Sequence, residues 1–214
     1  SILLASSAAS DVYKRQDKIA IGGGYPAGTI DLDASVTDNL KSVAKAKGVA
    51  VSDVNVCVLD RPRHAGIISE IRKNGAKVSL ITDGDIAGVI ATTDKTTGID
   101  MYIGIGGAPE GVLAAAALRC IGGQMQGRLI TDSDSQKARA AKMGIKDFDR
   151  KYEMNEMARG DVIFAATGVT DGDMLDGIKL IDGKLHTHTI VMRSYSGTVR
   201  YIRAEHGNTE RFTG

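Results

Sequence analysis

The chain has 214 residues, a formal net charge of +1 and a hydrophobic share of 43%, the balance of an ordinary globular protein with room for a sizeable core. An aromatic share of 4% with no Trp argues against base stacking, and near-neutral charge without a basic run argues against a polyanion partner. No stretch approaches the ~20 apolar residues of a membrane span. Neither nucleic acid nor a membrane is therefore an expected partner.

Residues 1–16 show no period and no signal-peptide core, and they read as an unmatched leader, disordered or artefactual. The structured body is expected over 17–207, with 208–214 as a tail. Ile19-Ala20-Ile21 reads as a short strand ending in Gly22-Gly23-Gly24. A helix is predicted over Thr37–Lys47, with Thr37 or Ser35 as its N-cap and Gly48 just past its end. Val54–Leu59 is an apolar strand broken only by Asn55. Ala65–Asn74 places Ile67, Ile68 and Ile71 on one helical face, and Gly75 stops it. A strand follows over Val78–Ile81, then a short helix over Ile86–Ala91 and a strand over Ile99–Ile105. Pro109–Ile121 reads as an Ala-rich helix closed by Gly122-Gly123, and Ser133–Met143 as a helix followed by Gly144. Val162–Ala166 is a further strand. Ile178–Ile181, Leu185–Arg193 and Thr198–Ala204 then form an antiparallel meander.

Alternation of apolar strands with helices predicts an α/β fold with a mainly parallel sheet covered on both faces. The strands ending at Leu59, Ile81, Ile105 and Ala166 each run into a polar, turn-rich loop. In a parallel sheet such loops share the carboxyl edge, where α/β proteins bind ligands. The expected crevice then holds Asp60-Arg61-Pro62-Arg63-His64, Thr82-Asp83-Gly84-Asp85, Gly106-Gly107-Ala108-Pro109-Glu110 and Thr167 to Asp173.

Each candidate has two readings. Arg61 and Arg63 suit bidentate phosphate contact, or are solvated loop arginines. Asp83 and Asp85 bind sugar hydroxyls or a metal, or Asp85 caps the next helix. Gly107 and the helix start behind it suit a phosphate oxygen. Glu110 ligates a divalent cation, or complements the helix dipole. His64 has no evident partner. His186 and His188 share a strand face without a third ligand nearby, so zinc is not expected. Cys57 and Cys120 lie in apolar runs and read as buried thiols of a reducing, cytoplasmic compartment.

These loops, in this order, resemble the GlpX-type class II fructose-1,6-bisphosphatases. The resemblance rests on Leu59-Asp60-Arg61-Pro62-Arg63-His64, on Asp83-Gly84-Asp85, on Gly104 to Val112 and on Ala165 to Thr170. Gln126-Gly127-Arg128-Leu129 and Lys142-Met143-Gly144-Ile145 also fit, and the likeness runs from about Lys18 to Glu205. It implies a layered sugar-phosphatase sandwich, of which this chain supplies the second, mainly parallel α/β half plus the meander. It implies hydrolysis of the 1-phosphate of fructose 1,6-bisphosphate with Mn2+ or Mg2+, by a protein that is a homo-oligomer at full length. Sedoheptulose 1,7-bisphosphate is the alternative substrate, and a non-catalytic sugar-phosphate or nucleotide binding module is the alternative function.

Carried over by position, the resemblance gives substrate roles to Arg61, Pro62, Arg63, Asp83, Gly84, Asp85 and Gly107, and a metal-ligand role to Glu110. Two departures stand out. The family's acidic Asp-Pro-Ile/Leu-[Asp/Glu]-Gly-Thr motif is absent, so the chain reads as a fragment that is inactive alone and prone to self-association. The family's substrate-binding Tyr, three residues before the position of Lys18, is Arg15 here.

Overall fold

The computed structural model describes residues 15–207 apart from 132, 143, 144 and 146, and not the side chain of residue 139. Strand β1 (Arg15–Gly22) is the first element among the described residues, and the expected leader overlaps it at Arg15 and the buried Gln16. The rest of that leader and the 208–214 tail lie outside the described residues, as do Met143 and Gly144. Helix α1 (Val36–Lys47) starts where the Ser35 hydroxyl accepts the Asp38 amide at 3.0 Å, and ends at Gly48 with φ 73. Then come β2 (Asn55–Leu59), α2 (Ala65–Lys73), β3 (Lys77–Ile81), α3 (Asp85–Ala91), β4 (Met101–Gly107) and α4 (Ala108–Ile121). They are followed by β5 (Gly123–Ile130), α5 (Asp134–Lys142), β6 (Lys151–Glu153), α6 (Met154–Met157) and β7 (Ile163–Thr167). The meander is β8 (Lys179–Ile181), β9 (Lys184–Arg193) and β10 (Thr198–His206).

Two sheets form. The six-stranded sheet has the order β3-β2-β4-β1-β5-β6, parallel across β3-β2-β4 and antiparallel from β4 onward. The four-stranded sheet runs β10-β9-β7, with β8 also paired to β9. The mixed α/β class is as expected, and the parallel arrangement holds for the strands that carry the first three loops. β7 departs from expectation: it pairs antiparallel with β9 in the second sheet, so its loop leaves a different edge. β5, an antiparallel partner of β1, carries no strand signal of the usual kind in Gly123-Gln124-Met125-Gln126-Gly127.

The layers follow from the alternation of side chains along the strands. Ile19, Ile21, Val56, Val58, Met101 and Ile103 point to one face of the six-stranded sheet and pack against Leu40 and Val43 of α1 and Ile68 and Ile71 of α2. Ala20, Cys57, Tyr102 and Met125 point to the other, against Val89 of α3 and Ala114 to Leu118 of α4. Phe164, Ile190 and Met192 of the second sheet close on α4 from its far side. A helix held between two sheets is apolar all round, and small Ala side chains let both sheets approach. Among the described residues no helix is long and apolar enough to cross a membrane.

Candidate active site

Because β1 runs against β4, its first residues lie at the edge where β2, β3 and β4 end. Side chains from four strands therefore converge on one place. After β2 the chain turns through a 3-10 helix at Pro62–His64. His64 is fully buried there and ties two strand ends together: Nδ1 donates to the Leu59 carbonyl at 2.7 Å, and Nε2 accepts the Ile105 amide at 2.8 Å. An amide can only donate, so Nε2 is bare and the ring is the neutral Nδ1-H tautomer. A Cβ on Gly104 would come within 3.1 Å of that Nε2, so the glycine lets the ring lie against β4.

The arginines flank this latch and both are anchored on backbone carbonyls. The Arg63 guanidinium donates twice to the Ile105 carbonyl, at 2.9 and 2.7 Å. Arg61 donates to the Asp60 carbonyl at 2.9 Å and to the Thr82 carbonyl at 2.6 Å. Each guanidinium retains donors beyond these bonds. The loop after β2 is thus stitched to the turn after β3 and to the end of the β4 backbone by the cations that the sequence matches to phosphate.

The two carboxylates of Asp83-Gly84-Asp85 part company. Asp83 is exposed and accepts the Gly84 amide at 2.8 Å, in a turn where Gly84 takes φ 88. Asp85 turns inward. Its side chain is 2% exposed and meets the fully buried Lys18 ammonium at 2.5 Å. Lys18 also donates to the Gly107 carbonyl at 2.9 Å. The structure thus places the Asp85 carboxylate against Lys18 and β4, and Asp83 in solvent. The space it fills exists because residue 106 is glycine: a Cβ there would lie 1.6 Å from Asp85 Oδ2. The buried Tyr102 hydroxyl lies beside the same carboxylate without closing a hydrogen bond. Burial, and then the Asp85 charge, push that phenol far above its ordinary value.

The glycine-rich turn leads into α4, and Glu110 folds back so that its Oε2 accepts the Gly107 amide at 3.1 Å. Both readings of Glu110 remain compatible with this: it caps the helix with Oε2 and keeps Oε1 for a cation. Among the described residues no group of three or more His, Cys, Asp or Glu side chains is placed to hold a metal ion. Hard divalent cations take six or so oxygens. One carboxylate from Glu110, with Asp85 engaged by Lys18, does not fit that need.

The fourth expected loop reaches the helix layer from the other sheet. Leu175 is buried in the core that α3 and α4 share, with Met174 packed beside it. Burial, followed by the charges of Asp85 and Asp173, pushes the Cys57 thiol up to about 12, so this cysteine is an inert core residue. His188 is engaged by Asp176 at 3.2 Å, and Arg203 shares the same carboxylate.

Sequence reasoning missed Lys18 and Tyr102 as members of the site and undervalued His64. Lys18 had a signal, a lysine entering the apolar run Ile19-Ala20-Ile21. Its meaning depended on the direction of β1, which that run does not encode.

The sequence matches the model of the family described as bacterial fructose-1,6-bisphosphatase, glpX-encoded, over residues 5–206. It is 43% identical over 192 residues to the D-fructose 1,6-bisphosphatase class 2/sedoheptulose 1,7-bisphosphatase of Synechococcus sp. (strain JA-3-3Ab), covering 84% of this chain and 55% of that protein. The protein of the same description from Synechocystis sp. (strain ATCC 27184 / PCC 6803 / Kazusa) is 41% identical over 192 residues, covering 84% of this chain and 56% of its own length. The chain spans about half the length of the curated relatives it matches. With a match across nearly all of its described residues, and with the basic loop, the Asp-Gly-Asp turn and the glycine-rich turn gathered at one sheet edge, the chain belongs to the glpX-encoded bacterial fructose-1,6-bisphosphatase family.

Proposed function

We propose that this chain forms the sugar-phosphate side of a metal-dependent bisphosphatase that hydrolyses the 1-phosphate of fructose 1,6-bisphosphate, with sedoheptulose 1,7-bisphosphate as a second substrate. The supporting observation is the convergence of Arg61, Arg63, Gly107 and Glu110 at one edge, in a chain whose relatives carry both bisphosphatase names. A phosphoryl group spreads its charge over three equatorial oxygens, and paired guanidiniums match that charge in both position and sign. Arg61 and Arg63 hold a phosphate, with Pro62 fixing the backbone between them. Asp83 and the Gly84-Asp85 backbone take sugar hydroxyls, and Gly107 lets the substrate approach β4. Glu110 contributes one oxygen to Mn2+ or Mg2+. Among the described residues no cation site is complete, and the further ligands are placed outside them.

The buried free thiols Cys57 and Cys120 are compatible with a reducing cytoplasm. The exposed Leu180, Tyr201 and Ile202 of the second sheet support self-association into a homo-oligomer.

The test compares phosphate release from fructose 1,6-bisphosphate, with manganese, by this chain and by a chain extended to the relatives' full length. The extended chain is expected to turn over and this one to bind without turnover. Absence of turnover in both sinks the substrate assignment. Turnover by this chain alone sinks the placement of the remaining ligands elsewhere.

A further inference from the structure

We propose that Lys18 is a positioning residue: its ammonium pins the turn after β3 to the turn after β4, and Asp85 is the internal anchor of that pin. Only the affinity arm of the test below rests on the proposed function.

The geometry is specific. Lys18 enters from β1, a strand that runs opposite to those carrying the loops. One ammonium reaches the Asp85 carboxylate at 2.5 Å and the Gly107 carbonyl at 2.9 Å. These two acceptors belong to the two loops that flank the expected sugar position. Lys18 and Asp85 are 0% and 2% exposed, so each is enclosed by the protein and by the other. The absent side chain at Gly106 provides the room for the carboxylate, and the buried Tyr102 phenol lies close enough to feel its charge. Buried pairs of this kind add little net stability over apolar residues of similar volume, because desolvating two charges offsets their attraction. What an ion pair supplies here that an apolar pair does not is a fixed distance between two turns, each of which would otherwise be held by its own short-range bonds.

This separates two roles that a single-variant measurement would merge. Lys18→Met leaves an unpaired buried carboxylate and is expected to lower the melting temperature by about 10 °C. Lys18→Met/Asp85→Leu removes both charges, and most of that loss is expected to return. Amide exchange then reports the pin in the refolded double variant. The Gly88 amide, bonded to the Gly84 carbonyl at 3.0 Å, reports the turn after β3. The Gly107 amide, bonded to Glu110, reports the turn after β4. Both are expected to exchange about tenfold faster than in the unaltered chain, while core strand amides do not change. Asp85→Asn, which keeps the volume beside Gly106, is expected to loosen the same two amides and covers the case in which the double variant does not fold.

Unchanged exchange at Gly88 and Gly107 in a folded Asp85→Asn or double variant overturns the proposal. So does a Lys18→Met chain that melts with the unaltered one. Fructose 1,6-bisphosphate titration gives the independent arm: affinity is expected to fall about tenfold in the double variant. If the unaltered chain fails to bind the bisphosphate while the exchange result holds, the positioning role stands and the proposed function falls.

Discussion

Two lysine–carboxylate pairs in this chain differ in almost nothing but their surroundings. Lys18 and Asp85, at the edge of the six-stranded sheet, are 2.5 Å apart with side chains 0% and 2% exposed. Lys184 and Glu205, across β9 and β10 of the second sheet, are 3.0 Å apart and more than half exposed, at 53% and 58%. Water and salt screen the exposed pair, so it adds little to stability. The buried pair has no water to fall back on, so losing either partner costs roughly 3–5 kcal/mol. The second sheet leaves the apolar side chains of Leu180, Tyr201 and Ile202 in solvent, whereas the first encloses charged ones. A sheet edge that confines charge has a fixed geometry to offer a ligand. The second sheet instead leaves Leu180 and Ile202 exposed on one face and Tyr201 on the other.

The strongest way to break this contrast is to deny the buried pair its space. Gly106→Ala puts a methyl 1.6 Å from Asp85 Oδ2, so the carboxylate or β4 must move. A cost of about 3 kcal/mol is expected, and for a chain of this size that is a fall of ~6–12 °C in melting temperature. A Gly106→Ala chain melting within about 2 °C of the unaltered one would show that the chamber is loose.

His64 tests the same edge without touching a charge. His64→Ala removes the bonds to Leu59 and Ile105 and leaves a cavity among buried groups. A loss of about 2–4 kcal/mol is expected in a urea midpoint experiment. A smaller effect is expected from Arg63→Met, because Arg63 is exposed and its bonds to Ile105 end on a carbonyl that water can also satisfy. Its stability is expected to move by less than ~1 kcal/mol, while fructose 1,6-bisphosphate affinity falls roughly tenfold or more. If His64→Ala weakens binding as much as Arg63→Met while leaving stability intact, the histidine is a ligand contact and not a latch.

The sequence was legible where a local pattern has one spatial meaning. Gly48 and Gly75 each mark a helix end and the Ala run from 114 to 117 a helix whatever surrounds them, and Ser35 is one of the two caps the sequence offers for α1. Strand runs at Val54–Leu59 and Val78–Ile81 end where their polar loops begin, so the basic loop and the Asp-Gly-Asp turn could be placed on one edge in advance. Strand direction and sheet membership have no local signature. Phe164-Ala165-Ala166 looks the same in either sheet, and only pairing with β9 decides it. Lys18 follows the same rule, because a lysine at the start of a strand reaches the loops only if that strand is antiparallel to its neighbours. Asp85 is the sharpest case: beside Gly84 its type indicated a ligand contact, and only the direction of Lys18 turned it inward.

The smallest expected effect concerns pH, where the two sheets should respond with opposite signs. Burial raises the carboxyl of Asp17, on β1, above its ordinary value, with the charge of Arg128 only partly opposing this. Its folded form favours the proton, so its contribution is fully present in acid and is lost as pH rises through its folded value. Glu205 is held below its ordinary value by the Lys184 hydrogen bond, so its contribution is present at neutral pH and is lost as pH falls through the carboxylate range. Asp17→Asn is therefore expected to melt higher than the unaltered chain at neutral pH, with the gap closing in acid. Glu205→Gln is expected to melt slightly lower at neutral pH, with its gap also closing in acid. Melting temperatures of the three chains, followed from neutral pH down through the carboxylate range, read both slopes in one series. Parallel slopes would mean that Asp17 is as well hydrated as Glu205, and that the edge of the first sheet is wetter than its geometry shows.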